Sequence, residues 1–258
     1  MRARVTLEEG VVRCSAGHSF DVARRGYVSM LVGRGPRTGD TPEMVRARER
    51  FLAGGHYAPL AGAVAAIAAD AAPGCVVDAG AGTGYYLART LDARPESYGI
   101  ALDSSPAALK VAARCHPRAG VVACDVWSRL PVRTGAAGMV VNAFAPRNGA
   151  EMRRVLAPGG VLVVATPTDA HLRELVETLG LVSVDAAKER RVEEALGGWF
   201  DEAAADTIEH EVSLSRAEVS DVVAMGPSAH HAVPDFAALP EKVRVTASAR
   251  VATYLPRP

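Results

Sequence analysis

The sequence is poor in lysine, aromatic rings and cysteine, and it carries no excess of either charge. Only Lys110, Lys188 and Lys242 are lysines among 29 basic residues, so 26 are arginines. GC-rich coding produces such arginine and alanine richness irrespective of function. The 29 basic residues meet 29 acidic ones, for a formal net charge of zero. That argues against a general polyanion binder, whose affinity comes from surplus Lys and Arg. A local patch can still sit inside a neutral total. No run of 18 apolar residues occurs, so no membrane-spanning helix is expected. Met1-Arg2-Ala3-Arg4-Val5 lacks the apolar core of a secretory signal. The four cysteines, Cys14, Cys75, Cys115 and Cys124, lie far apart with no CxxC pair. They do not form a disulfide framework, and a reducing cytoplasm is the expected compartment.

What is present is a chain of 258 residues, 49% apolar, enough for one large α/β domain with an appendage. Residues 1–50 hold ten arginines against six acids, which leaves the other 208 residues at net −4. The organisation predicted is a basic N-terminal arm over 1–40 and a catalytic domain over 41–258. Thr41-Pro42-Glu43 starts a helix, with Thr as N-cap and Pro at the first helical position. Short apolar runs then alternate with helical segments from Cys75 to Thr166. Strict alternation of this length implies a parallel, doubly wound sheet. Segments 206–214 and 242–254 are long and rich in Val and Thr, and read as an antiparallel pair.

The strongest motif is Val76-Val77-Asp78-Ala79-Gly80-Ala81-Gly82-Thr83-Gly84-Tyr85. A strand ends in Asp78, and a turn with Gly80, Gly82 and Gly84 leads into a helix. Glycines let the backbone approach a ligand, and the helix start leaves free N–H donors. Dinucleotide enzymes carry such a loop too, so the next strands decide. Asp103 ends the second strand, where a carboxylate can take both ribose hydroxyls. Asp125 ends the third, beside Val126 and Trp127, where it can receive an adenine amino group. Three acidic strand ends repel a pyrophosphate and suit S-adenosylmethionine, with its cationic sulfonium and zwitterionic tail. Asn142-Ala143-Phe144-Ala145-Pro146 ends the fourth strand, where the methyl would project, and Asn142 is expected at the cofactor. Pro158-Gly159-Gly160 turns into the fifth strand. This layout resembles class I, Rossmann-like S-adenosylmethionine-dependent methyltransferases. It implies a mostly parallel seven-stranded sheet with an antiparallel C-terminal strand.

A narrower resemblance covers essentially the whole chain. Cys14-Ser15-Ala16-Gly17-His18-Ser19-Phe20-Asp21 with Gly26-Tyr27-Val28, the block Glu43 to Arg48, and Gly55-His56-Tyr57-Ala58-Pro59-Leu60 carry it. So do Asn142 to Asn148 and Val223 to Ser228. These blocks are similar to the RlmA/TlrB-like family, which methylates N1 of guanine in a 23S rRNA hairpin. That family's zinc knuckle adds a CxxC pair upstream of the cysteine matching Cys14, and its histidine matches His18. No such pair precedes Cys14 in this sequence. Two ligands do not close a tetrahedral site, so zinc is not expected, and Cys14 and His18 read as remnants. With the zero net charge, this favours the family's natural-product branch. The expected reaction is C3-methylation of the indole of a tryptophan-derived diketopiperazine, with N1-methylation of guanine in 23S rRNA as the alternative. A cofactor-binding regulator without turnover is a third reading. The resemblance also implies a homodimer.

Both acceptors need an N–H proton removed, and a Tyr–His pair can share a proton near neutral pH. Tyr27, in the arm, and His56, after a glycine turn, are the candidate pair. Their alternatives are a packed tyrosine and a histidine that only bonds the methionine tail. Arg48 is the candidate for the cofactor carboxylate, and Tyr57 is expected at the cofactor. His230 and His231 lie in a candidate substrate lid. His116, His171 and His210 have no assigned role. Phe144 can stack on a ring, and Trp127 is expected in the core.

Overall fold

The computed structural model describes residues 5–31, 39–181, 188–226, 229, 235–236 and 239–258. His230 and His231 lie outside them. Three short strands, β1 (Val5–Glu8), β2 (Val11–Cys14) and β3 (Ser19–Asp21), form an antiparallel sheet in the arm. The main sheet is built from β4 (Val28–Ser29), β5 (Cys75–Ala79), β6 (Gly99–Asp103), β7 (Ala119–Ala123), β8 (Ala137–Ala143), β9 (Leu156–Pro167), β10 (Phe200–Ser215) and β11 (Lys242–Pro256). Its order is β10-β11-β9-β8-β5-β6-β7-β4. Strands β9 to β4 run parallel, while β11 is antiparallel to both β9 and β10. The seven strands expected are therefore present, and β4 extends their edge by pairing Val28 and Ser29 with Val122 and Ala123. Two residues of arm backbone are enough to add an edge strand, and no apolar pattern marks so short a piece.

The central strands are apolar because both faces are covered. All seven residues of β8 are buried. On the faces lie α1 (Pro42–Ala53), α2 (Ala58–Ala68), α3 (Tyr85–Asp92), α4 (Pro106–Ala112), α5 (Gly149–Val155), α6 (Arg173–Leu179), α7 (Lys188–Leu196) and α8 (Arg216–Ala224). The Thr41 hydroxyl caps α1 by accepting from the Met44 N–H. One core cluster joins Val77, Leu102, Met152 and Leu162, and a second joins Val76, Leu87, Leu109 and Met139. A third packs Phe51, Tyr57 and Leu60 on Leu214, Val219 and Val223. Strand β10 is a long edge, and Asp201, Glu202, Asp206, Glu209 and Glu211 give it charges that discourage further pairing. Among the described residues no single helix is long and apolar enough to cross a membrane.

Candidate active site

A doubly wound sheet binds ligands outside the C-terminal ends of its strands, where the strand order reverses. Here that point lies between β5 and β8. A cavity of about 540 Å³ opens there, lined by Asp78 at the end of β5 with Gly80 and Ala81 beyond it, Phe144 and Arg147 after β8, and Pro167 at the end of β9 with His171 beyond it. Helix α1 and the turn behind it close the cavity with Arg48 and Tyr57.

The loop after β5 is shaped by backbone geometry. Gly80 has φ +84°, and a Cβ there would collide with Ala145 of the β8 loop. Only glycine serves where the φ is left-handed and the space is filled. Asp103 is anchored at the end of β6. Its two carboxylate oxygens accept the Gly82 N–H at 2.8 Å and the Ser105 N–H at 2.8 Å. Each oxygen keeps a lone pair for a ribose hydroxyl. Asp125 accepts the Trp127 N–H at 3.0 Å. Trp127 is 66% exposed rather than in the core, because it sits in the turn beyond β7 and not on the strand. Asp103, Asp125, Val126, Gly82 and Gly84 do not line this cavity; Asp103 and Asp125 lie beside it, beyond β6 and β7 in the sheet order. Val126 is buried, and its carbonyl accepts from Asn148.

Asp78 is buried, and its pKa is pushed up to about 7. Burial is the main cause, the Asp103 charge adds to it, and a backbone hydrogen bond from Leu87 opposes it. Arg48 pairs with Asp40 at 2.9 Å and donates to the Met225 carbonyl at 2.8 Å. One of its nitrogens lies 3.0 Å from where a Gly82 Cβ would stand. A guanidinium against the glycine loop suits a carboxylate tail. Asn142 is fully buried; its amide nitrogen ties the Ala79 carbonyl to the Pro146 carbonyl, both at 2.8 Å. It holds the two loops together from behind the cavity rather than lining it. These residues fit S-adenosylmethionine: Asp103 for the ribose, Asp125 for the adenine, the glycine loop with Arg48 and Asp78 for the amino acid tail.

The far side of the cavity is aromatic. Phe144 stacks on Tyr57 with centroids 6.3 Å apart and planes 21° apart. It also lies 6.1 Å from both Tyr86 and His171. Three non-glycine residues among those described have left-handed backbone: Glu9, Phe144 (φ +54°) and Leu172 (φ +55°). Two of the three line the cavity. Such strain persists where the surroundings impose it, commonly at functional sites. The hydroxyls of Tyr85 and Tyr86 and the Nε of Arg147 are buried without a partner. Burial also lowers the pKa of Arg147. These groups offer hydrogen bonds to a ligand.

Tyr27 and His56 do not meet. Neither lines the cavity, and no hydrogen bond or ring contact joins them among the described residues. Tyr27 is half-buried against the second core cluster. His56 bonds Glu218 at 2.8 Å, and its carbonyl accepts from His210 at 2.9 Å. Glu218 is the N3 residue of a capping box with Ser215, and its carboxyl is held down at about 2 by Ser215 and His56. A Tyr–His pair does exist, with other members. The Tyr57 hydroxyl lies 3.0 Å from His171 Nε2. Sequence reasoning passed over His171, although it stands four residues after the end of β9, on the ligand side of the sheet. In the arm, Cys14 Sγ and His18 Nδ1 are 3.3 Å apart.

Residues 76–160 match the family described as a methyltransferase domain. A Micromonospora griseorubida protein named "Putative 23S rRNA (guanine-N(1)-)-methyltransferase" is 52% identical over 95% of this chain and 90% of its own. The Streptomyces fradiae "23S rRNA (guanine(748)-N(1))-methyltransferase" is 45% identical over 99% of this chain and 95% of its own. The chain belongs to the 23S rRNA guanine-N1 methyltransferase family. It is an S-adenosylmethionine-dependent methyltransferase. The YcgJ protein of Bacillus subtilis shares the fold, with a TM-score of 0.51 at 15% identity, over 79% of this chain and all of its own.

Membership overturns the expectation of an indole C3-methyltransferase, since both near-full-length relatives are named for guanine N1. The physical reason is locality. Zero net charge averages the whole surface and carries no record of the charge at any one site, so it does not separate the two acceptors. The knuckle ligands, the other ground for the indole, lie in the arm and line no part of the cavity.

Proposed function

We propose that this protein methylates N1 of a guanine in 23S rRNA. The observation that carries the reading is its identity, over nearly the full length, to two proteins named for that reaction. The cavity supports it. A base inside a duplex or stacked loop cannot present N1 to a buried methyl, so it must be turned out into a pocket. The Phe144, Tyr57 and Tyr86 rings line such a pocket, and base–aromatic stacking is worth about 1–3 kcal/mol per base. Arg147, whose buried Nε has no partner among the described residues, adds a donor at its wall for the attached backbone. When bound between the glycine loop, Asp103 and Arg48, S-adenosylmethionine would supply an electrophilic methyl for N1, with the sulfonium sulfur as leaving group and the N1 proton lost to solvent. The chain's own contribution is to hold the base against that methyl and exclude competing geometries, an effect worth up to about 7–11 kcal/mol.

The test uses a 23S rRNA hairpin transcript, labelled cofactor and the full chain. The expected result is label in the RNA and a primer-extension stop at one guanine, because an N1 methyl blocks base pairing. Replacing that guanine with adenine should abolish both signals. A transcript that stays unlabelled and is read through without a stop would refute the reading.

A further inference from the structure

The Tyr57–His171 contact has a polarity that its surroundings determine. His171 Nδ1 accepts the Ser248 backbone N–H at 3.1 Å. A backbone N–H can only donate, so Nδ1 carries no hydrogen. The ring hydrogen therefore sits on Nε2, which faces the Tyr57 hydroxyl at 3.0 Å. A protonated imidazole, or the opposite tautomer, would set two donors against each other at Ser248. Strand β11 holds Ser248 fixed, for Ala247 and Ala249 are fully buried beside it and Ser248 receives the Thr168 N–H. Nε2 thus donates to the Tyr57 oxygen, and the hydroxyl hydrogen must point elsewhere. Burial holds the Tyr57 phenol above its ordinary range, so it stays protonated. The ring lies between Phe51 and Phe144, at the wall of the cavity.

We propose that Tyr57 donates its hydroxyl hydrogen to O6 of the bound guanine, and that His171 is the positioning residue that keeps it donating. The assignment rests on the guanine-N1 reading above. Its chemical use follows from the lactam. As N1 loses its proton, negative charge spreads onto the adjacent O6, and a donor fixed there stabilises that charge without reorganising. The same donor selects guanine over adenine, whose amino group at that position would oppose a hydrogen with hydrogens. Neither member of the pair can be the base: the phenol is a donor, Nε2 is occupied in donating, and Nδ1 is covered by the Ser248 N–H.

Two measurements test this. The first is nitrogen NMR on the histidine-labelled full chain, with the His171 signals assigned by their loss in His171→Gln. An unprotonated Nδ1 and a protonated Nε2 are expected for the neutral ring at pH 8. The reverse pattern would overturn the assignment whatever the substrate is.

The second compares kcat/KM on the hairpin carrying guanine or 6-thioguanine at the target, since sulfur accepts hydrogen bonds weakly. The guanine-to-thioguanine ratio should fall about tenfold from wild type to Tyr57→Phe, in line with one lost hydrogen bond. The analogue's intrinsic reactivity cancels in this ratio of ratios, and a general loss of packing does not change it. His171→Gln, whose amide can still donate to Tyr57, should retain most of the discrimination, and His171→Leu should lose it. A Tyr57→Phe enzyme that keeps the wild-type ratio would refute the role. A wild type inert on the guanine hairpin would instead refute the guanine reading, and with it the ligand named here.

Discussion

Cofactor binding is expected to depend on pH through Asp78. Asp78 is a buried carboxylic acid whose pKa stands at about 7 against an ordinary 3.8. Asp103 raises it further, while the nearby Tyr86 hydroxyl and Cys115 thiol are neutral groups that bring no compensating cation. The cofactor's tail carries an ammonium, which the ionised carboxylate attracts and the neutral acid does not. Affinity should therefore follow the ionised fraction. At pH 8 about nine-tenths of the free enzyme is ionised at Asp78; at pH 6 about one-tenth is. The expected dissociation constant for S-adenosylmethionine is about tenfold weaker at pH 6 than at pH 8. Binding near pH 6.5 should release about three-quarters of a proton.

The sign for stability is opposite. An acid raised on folding destabilises the cofactor-free fold as it ionises. Stability should fall as pH rises from about 4 to about 7, by an upper limit of roughly 4 kcal/mol, and level off above 7. Calorimetry in two buffers of different ionisation enthalpy measures the affinity and the proton count together. Asp78→Asn should bind weakly and without slope over this range. A flat wild-type profile between pH 6 and 8, or an unchanged slope in Asp78→Asn, would refute the reasoning.

Gly80→Ala should abolish detectable cofactor binding, because its Cβ would strike Ala145 and its φ of +84° disfavours any side chain; equilibrium dialysis with labelled cofactor checks it. Phe144→Ala should leave cofactor affinity within about twofold of wild type while lowering kcat/KM on RNA by about 10–100-fold, the loss of one base-stacking surface. Equal losses in both measurements would show that Phe144 supports the cofactor instead. Glu218→Ala removes one half of the capping box and the partner of His56, and should cost about 1 kcal/mol in thermal unfolding. The Glu218 carboxyl is held down at about 2, so its contribution is present above its ordinary 4.5 and is lost as pH falls from there towards 2. A wild type and Glu218→Ala pair with the same stability difference at pH 2 and pH 7 would contradict this.

Much of this protein was legible along the chain, for reasons that are local. The helix start at Thr41 follows from a capping hydroxyl, and it is realised by the Met44 N–H. The glycine loop and the acids Asp78, Asp103 and Asp125 are readable because strand ends and tight turns are set by neighbouring residues. Family membership was readable in blocks such as Gly55 to Leu60 and Asn142 to Asn148. Two of the helices were not. Arg173–Leu179 and Lys188–Leu196 are short, and much of each turns charge to solvent, so periodicity marks them weakly.

The sequence by itself determined the sheet, the cofactor and the family, because each is encoded in contiguous residues whose roles are settled within a turn or two. Only the tertiary structure decided which groups face one another across the cavity. It sent His56 to Glu218, placed Asn142 behind the loops, and brought His171 to Tyr57 across 114 positions. Such pairings depend on how helices and strands far apart in the chain close over the sheet, and side-chain type alone carries no record of them. The same distinction explains the substrate correction: net charge belongs to the whole chain and carries no record of which charges the fold brings to one site.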